Sequence, residues 1–199
     1  MEPRRNDRRE RKDARRNQEQ VINAARELFA RHGADVRIEE VARRAGVGVA
    51  TVYRCFASKE QLIAAISHDA CTMAQQCLYE AAQHAGDARV RLQALIMVQY
   101  RSNAQQAALL ELASAADGDQ QALAVDPSPL IEALRDLLRQ IIADGQQQGL
   151  FRAGDPAVLA ALCVELLHPR TFTSLRHTLA TTPEQLAQHT TALLLHGLL

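Results

Sequence analysis

Residues 38–62 read IEEVARRAGVGVATVYRCFASKEQL, and this stretch decides the fold. Ile38, Val41, Ala42 and Ala45 fall at i, i+3, i+4 and i+7, the spacing of one apolar helix face about two turns long. Gly46 ends that helix, and Gly46-Val47-Gly48 forms a tight turn. In the following Val49-Ala50-Thr51-Val52-Tyr53-Arg54-Cys55-Phe56, Val52 and Phe56 share one face, so a third short helix is the economical reading. Two short helices joined by a glycine-bearing turn have the dimensions of a helix-turn-helix, whose second helix lies in the major groove of DNA.

With Val52 and Phe56 turned inward, and roughly 100° of rotation per residue, Ala50 and Arg54 point directly away while Thr51 and Tyr53 lie on the flanks. The outward face is therefore small, hydroxylated and cationic. Arg54 suits a bidentate pair to guanine, and Thr51 and Tyr53 suit hydroxyl bonds to phosphates on either side of the groove. Gly48 and Val49, at the start of the helix, complete with Ala50 the surface expected to meet DNA. Cys55, about 60° from the core direction, reads as a half-buried packing residue rather than a redox sensor. Lys59 lies in the first turn of the next helix, where a cation opposes the macrodipole. A phosphate docked on the free N–H groups there would explain it, and a plain exposed lysine is the alternative.

Upstream, Val21, Ile22, Ala25, Leu28 and Phe29 recur at helical spacing and predict a helix over about residues 16–32, with Gly33 as its stop. Before it, Arg4, Arg5, Arg8, Arg9, Arg11, Lys12, Arg15 and Arg16 stand among acids with almost nothing apolar. Residues 1–15 are expected to be a flexible basic arm, either solvated or touching the DNA backbone or minor groove. Downstream, Ser58 and Gln61 form a capping-box pattern opening a helix to about His84. Gly86-Asp87 breaks it, and a further helical stretch from Val90 is expected to reach about Ala116 with one interruption. Ser128-Pro129, Asp155-Pro156 and Thr182-Pro183 each place a capping residue before a proline. They predict helices ending near Gly149, Pro169 and Gly197.

The chain has 199 residues, 47% of them hydrophobic, with little glycine and proline and no Trp. That is enough to bury an all-helical core without staples. The formal net charge of zero conceals an asymmetry: residues 1–60 hold 15 Lys+Arg against 10 Asp+Glu, and residues 61–199 hold 8 against 13. A basic module joined to a larger, mildly acidic one is implied. The four cysteines form no C-x-x-C pair, which argues against a disulfide framework or zinc knuckle and favours a reducing cytoplasm. No apolar run of about 18 residues could span a bilayer, and no apolar segment follows the basic N-terminus, so neither membrane insertion nor export is expected. There is no H-E-x-x-H, no G-x-S-x-G and no Walker loop, and Gly46-Val47-Gly48 follows a helix instead of a strand, so no enzyme and no cofactor are expected.

The stretch at 38–62 resembles the DNA-binding signature of the tetracycline-repressor (TetR) family, and the resemblance covers residues 18–66. It is carried by Phe29 and Gly33, Val41-Ala42, Ala45-Gly46-Val47, Thr51, Tyr53-Arg54, Phe56 and Ser58-Lys59-Glu60. Arg37 stands where that family usually has Ser or Thr at the helix-two cap; it can still reach phosphate. Cys55 replaces the usual His or Tyr. The resemblance implies an all-α protein of about nine helices: the basic arm at 1–15, a three-helix DNA-binding domain at 16–60, and a helical ligand-binding and dimerisation domain at 61–199. It also implies that the helices at 156–168 and 183–198 form an intersubunit four-helix bundle.

The function expected is thus a cytoplasmic, homodimeric repressor, released from a palindromic double-stranded operator by a small molecule, with helix four as the lever. A helical protein-interaction module without DNA binding, or a ligand-independent regulator, are the alternatives. Cys71, Met97, Tyr100, Arg101 and His168 are cavity candidates by position, against ordinary packing. His68, Cys71 and Cys77 are spaced so that a metal site is conceivable, but structural roles are favoured and no metal is expected.

Overall fold

The computed structural model describes residues 4–115, 128–179 and 181–198. Among them are nine α-helices and no strand: α1 (Arg4–His32), α2 (Ile38–Ala45), α3 (Val49–Cys55), α4 (Lys59–Ala82), α5 (Ala88–Ala115), α6 (Ser128–Gln147), α7 (Pro156–Leu167), α8 (Pro169–Thr178) and α9 (Pro183–Leu198), with a 3₁₀ turn at Gly33–Asp35. The chain divides into two compact units, Met1–His68 with Leu109–Val125, and Asp69–Ala108 with Asp126–Leu199.

In the first unit, α1 packs against α2 and α3. Val21, Ala25 and Phe29 of α1, Val41 and Ala42 of α2, and Val52 of α3 are all buried, as their spacing requires. α1 begins at Arg4 instead of near Arg16. Apolar periodicity does not register those first turns, because what favours helix there is intrinsic propensity: Arg, Lys, Glu and Ala are good helix formers. Arg15 Nε also donates to Glu19 Oε1 at 3.0 Å, an i,i+4 pair on an exposed face. Residues 1–3 of the expected arm lie outside the described residues.

The second unit is built on a buried cluster that includes Leu92, Leu95, Ile96 and Tyr100 of α5, Leu134, Leu138 and Ile142 of α6, Val164 and Leu167 of α7, and Phe172 of α8. α5 runs unbroken to Ala115, without the interruption expected from sequence, and Ala116 lies outside the described residues. α6 closes with a paired motif around Gly149 at φ +67°: Gly149 N–H donates to Gln146 O at 3.1 Å and Leu150 N–H to Gly145 O at 2.8 Å. α7 opens as its cap–proline signature predicts, with Asp155 Oδ1 accepting from Ala157 N–H at 2.8 Å. At α9, Thr182 Oγ1 accepts from Gln185 N–H while Gln185 Oε1 accepts from Thr182 N–H, a complete capping box.

α8 is a helix that sequence reading passes over. Pro169 ends α7 as expected but also opens α8 as its first residue, because His168 Nδ1 accepts from Arg170 N–H at 3.2 Å. The signal was the same cap–proline pair, with histidine in place of an ordinary capping residue.

Candidate nucleic-acid interface

The helix-turn-helix is assembled from its caps. Arg37 has extended dihedrals (φ −95°, ψ 149°) at the start of α2, and its backbone N–H donates to Glu40 Oε2 at 3.2 Å. The reciprocal bond of a capping box needs a side-chain acceptor, and a guanidinium has none. Only half of the box is present, and the Arg37 side chain remains exposed. At the other end Gly46 adopts φ +70°, its N–H donating to Arg43 O at 3.3 Å and that of Val47 to Ala42 O at 3.0 Å. This left-handed stop turns the chain within two residues, and only glycine adopts it without strain. Gly48 then caps α3 with its carbonyl, which accepts from Thr51 N–H at 2.8 Å and Val52 N–H at 3.2 Å.

α3 sorts its side chains as the rotation per residue requires. Val52 is 1% exposed and Phe56 5%, whereas Tyr53 is 51% exposed. Ala50 and Arg54 are exposed with it, Val49 is at the edge of exposure, and Thr51 and Cys55 are half-buried. Gly48, Val49, Ala50, Thr51, Tyr53 and Arg54 are thus brought together on one short element. The orientation of α2 is held from outside by Arg44, whose guanidinium donates to the Glu27 carboxylate of α1, through Nε at 3.0 Å and also through Nη2. Both partners are about half exposed, so the pair fixes geometry more than it stabilises. This link joins residues of unrelated spacing, and nothing in the sequence pattern points to it.

Lys59 is neither plainly solvated nor simply aimed at an empty helix end. Its ammonium stands 5.6 Å from the centroid of the Phe29 ring, a cation–π contact that ties the start of α4 to α1. The N–H groups of that first turn are partly engaged. Ser58 Oγ accepts from Gln61 N–H at 3.3 Å, and Gln61 Oε1 accepts from Ala57 N–H at 2.9 Å. The Glu60 carboxyl is held below its ordinary range by a hydrogen bond from Ser58, by its own backbone N–H and by the Lys59 charge. A phosphate arriving there meets Lys59 beside a competing carboxylate.

With this geometry in place, comparison with known proteins is decisive. Residues 21–66 match the profile of the bacterial regulatory proteins of the tetR family. The crystal structure of the TetR transcription regulatory protein from Mycobacterium vanbaalenii is 30% identical over 85% of this chain and 98% of its own, with a TM-score of 0.58. The chain belongs to the TetR family. The same fold is seen in a transcriptional regulator from Cytophaga hutchinsonii, at 21% identity, a TM-score of 0.73 and coverage of 90% and 97%. It is seen again in a TetR-family regulator from Mesorhizobium loti, at 20% identity, a TM-score of 0.66 and coverage of 92% and 95%. No curated protein sequence matches the chain. The protein is a TetR-type transcription regulator with a helix-turn-helix that binds DNA, and no helix among the described residues is long and apolar enough to cross a membrane.

The five cavity candidates of the second unit do not share one environment. Tyr100 is buried, its hydroxyl 2.8 Å from Thr190 Oγ1 and its ring edge-on to Phe172 at 5.7 Å. Burial also pushes its phenol pKa up. Met97 packs against the core from a half-buried position. Cys71 accepts a bond from Gln106 Nε2 at 3.3 Å, and desolvation raises its thiol pKa. Arg101 faces outward, exposed, which corrects its choice as an interior residue: one position beyond Tyr100 on a helix is a turn of about 100° away from the core. The His168 ring is engaged as the cap of α8. Sequence reasoning missed Gln99 and Asn103, both buried on α5. Their signal was available, since they continue at helical spacing the apolar stripe of Leu92, Leu95 and Ile96. No group of three potential metal-ligating side chains exists among the described residues.

Proposed function

We propose that this TetR-family regulator binds a palindromic operator as a homodimer, inserting α3 of each subunit into the major groove, and acts as a repressor released by a small molecule held in the second unit. The observation that carries the reading is the exposed face of α3. Tyr53 and Arg54 project from a seven-residue helix whose opposite side, Val52, is buried. About half of the Tyr53 side chain stands in water. Phosphate contacts from Thr51 and Tyr53 set register, and Arg54 reads a base. Val49, exposed at the tip, offers an apolar contact for a thymine methyl group. Arg37 and Lys59 supply further phosphate contacts.

Dimerisation is supported by an apolar surface that this chain leaves uncovered. Val158 and Leu162, one turn apart on α7, are 56% and 61% exposed, Leu166 a further turn on is 36% exposed, and Leu193 on α9 is 63% exposed. Such a stripe on helices that also bury an inner face fits the four-helix bundle expected for this family. A cytoplasmic location follows from the role. The test is fluorescence anisotropy of the full chain against a duplex taken from the DNA upstream of its own gene, followed by footprinting. Binding that weakens steeply with salt and protects two symmetric half-sites supports the reading. Salt-independent association, or none, favours the protein-interaction alternative.

A further inference from the structure

The interior of the second unit is almost wholly apolar. Besides the Tyr100 phenol and the Cys163 thiol, the buried polar side chains among its described residues are Gln99, Asn103 and Thr191. No Asp, Glu, Lys, Arg or His is buried there as a whole residue, although Arg89 and Arg91, toward the start of α5, are half-buried with their Nε atoms shielded. Gln99 and Asn103 lie one turn apart on α5, and a chain of hydrogen bonds fixes how their amides face. The Leu167 carbonyl at the end of α7 can only accept, so Asn103 presents Nδ2 to it, at 2.9 Å. That turns Asn103 Oδ1 toward Gln99, whose Nε2 donates to it at 3.0 Å. Inverting either amide would set two carbonyl oxygens together. The remaining atom, Gln99 Oε1, is fully buried and accepts no hydrogen bond among the described residues. Buried acceptors are seldom left so, because the whole desolvation penalty then stands uncompensated.

We propose that Gln99 Oε1 anchors an internal binding site of the second unit for an uncharged, largely apolar small molecule that donates one O–H or N–H. This deepens the effector reading above and rests on it. The donor follows from the free acceptor. The apolar body follows from Leu92, Leu95 and Ile96, which share the Gln99 face of α5 and are fully buried. The absence of charge follows from the Gln99 face of α5, where the neighbours at helical spacing are Leu92, Leu95, Ile96 and Asn103 and the nearer of the two half-buried cations, Arg91, is already paired with Asp144. An unpaired ion in such surroundings is strongly disfavoured. From Leu92 to Gln99 the helix rises about 10 Å, the length of a medium alkyl chain laid along it. Because the acceptor is fully buried, entry requires a minor, opened state of the unit, and a ligand that selects that state is a ligand that shifts a conformational equilibrium.

The test uses two isomers, 1-octanol and heptyl methyl ether, alike in size and atoms but only one able to donate, with octanoate at pH 8 as the charged arm. Calorimetric titration of the full chain should show octanol binding about tenfold or more tighter than either of the others. Gln99→Leu, checked for its helical fold by circular dichroism, should bind octanol and the ether alike. Equal binding of the two isomers by the unaltered protein overturns the proposal whether or not the variant folds. So does a preference that survives in Q99L, or no binding of either, which would leave Gln99 satisfied by water alone. Duplex binding is measured in parallel. A Gln99-dependent preference with unchanged duplex affinity keeps the anchor and ends the ligand-release reading, whereas duplex release by another compound, equal in both proteins, keeps that reading and ends the anchor.

Discussion

The Phe151 ring presses so closely on Gly145 that a β-carbon there would stand 2.1 Å from ring atom Cδ2 and 2.5 Å from Cε2. Gly145 lies inside α6, and Phe151 is 5% exposed just beyond the turn that leads to α7. Helix propensity alone would make alanine the better residue, by about 1 kcal/mol. Overpacking opposes it, so Gly145→Ala should lower unfolding free energy by about 1 to 3 kcal/mol. Urea denaturation followed by circular dichroism measures this. In a Phe151→Leu background the loss should shrink, and an undiminished loss would show that the ring is not the cause.

Arg54→Ala should weaken operator binding by roughly 1 to 3 kcal/mol and relax preference at a single base pair, because the proposed bidentate donor to guanine is lost. Binding measured across a set of operators with single changes distinguishes this from a phosphate contact, which would weaken all of them alike. Tyr53→Phe should do the latter, lowering affinity without changing preference. Unaltered affinity would remove the hydroxyl from the interface.

Leu162 is the most exposed apolar residue of the α7 stripe. Leu162→Glu should leave the fold of one chain intact, since the side chain touches little of its own core, and convert the protein to monomers in sedimentation velocity. Operator affinity should drop by about a hundredfold as two tethered contacts become one. A charged variant that still sediments as a dimer would place the interface elsewhere.

Cys163 is 2% exposed in the core, and burial pushes its thiol pKa from 9.0 to about 11. The raised value belongs to the folded state. Between these two pH values the unfolded chain gives up a proton that the native chain retains, so stability must fall as pH rises. The stabilisation is fully present below about pH 9 and lost progressively toward about pH 11, amounting to roughly 2 to 3 kcal/mol. Cys163→Ala should flatten that part of the pH–stability curve. An equally steep fall in the variant would assign it to other groups.

Gly46 shows how closely local chemistry was legible. Its position after Ala45 foretold the end of that helix, and with it the turn that separates α2 from α3. The outward pair Ala50 and Arg54 followed from Val52 and Phe56 by rotation alone. Local rules reach this far because a short helix between two caps has no freedom to present any other face. They reached less far at Pro169, where histidine acted as a cap, and at Arg4, where propensity without apolar periodicity extended a helix.

Composition, periodicity and capping chemistry, which act over a few residues, determined that this chain is helical, where most of its helices begin, and which side chains α3 turns outward. Tertiary structure alone decided that Lys59 stacks on Phe29, that Arg44 reaches Glu27, and that Gln99 ends a hydrogen-bond chain begun at Leu167. Each of these joins groups far apart in the chain. Their meeting depends on how helices pack, and a one-dimensional pattern carries no record of which face of one helix lies against which face of another.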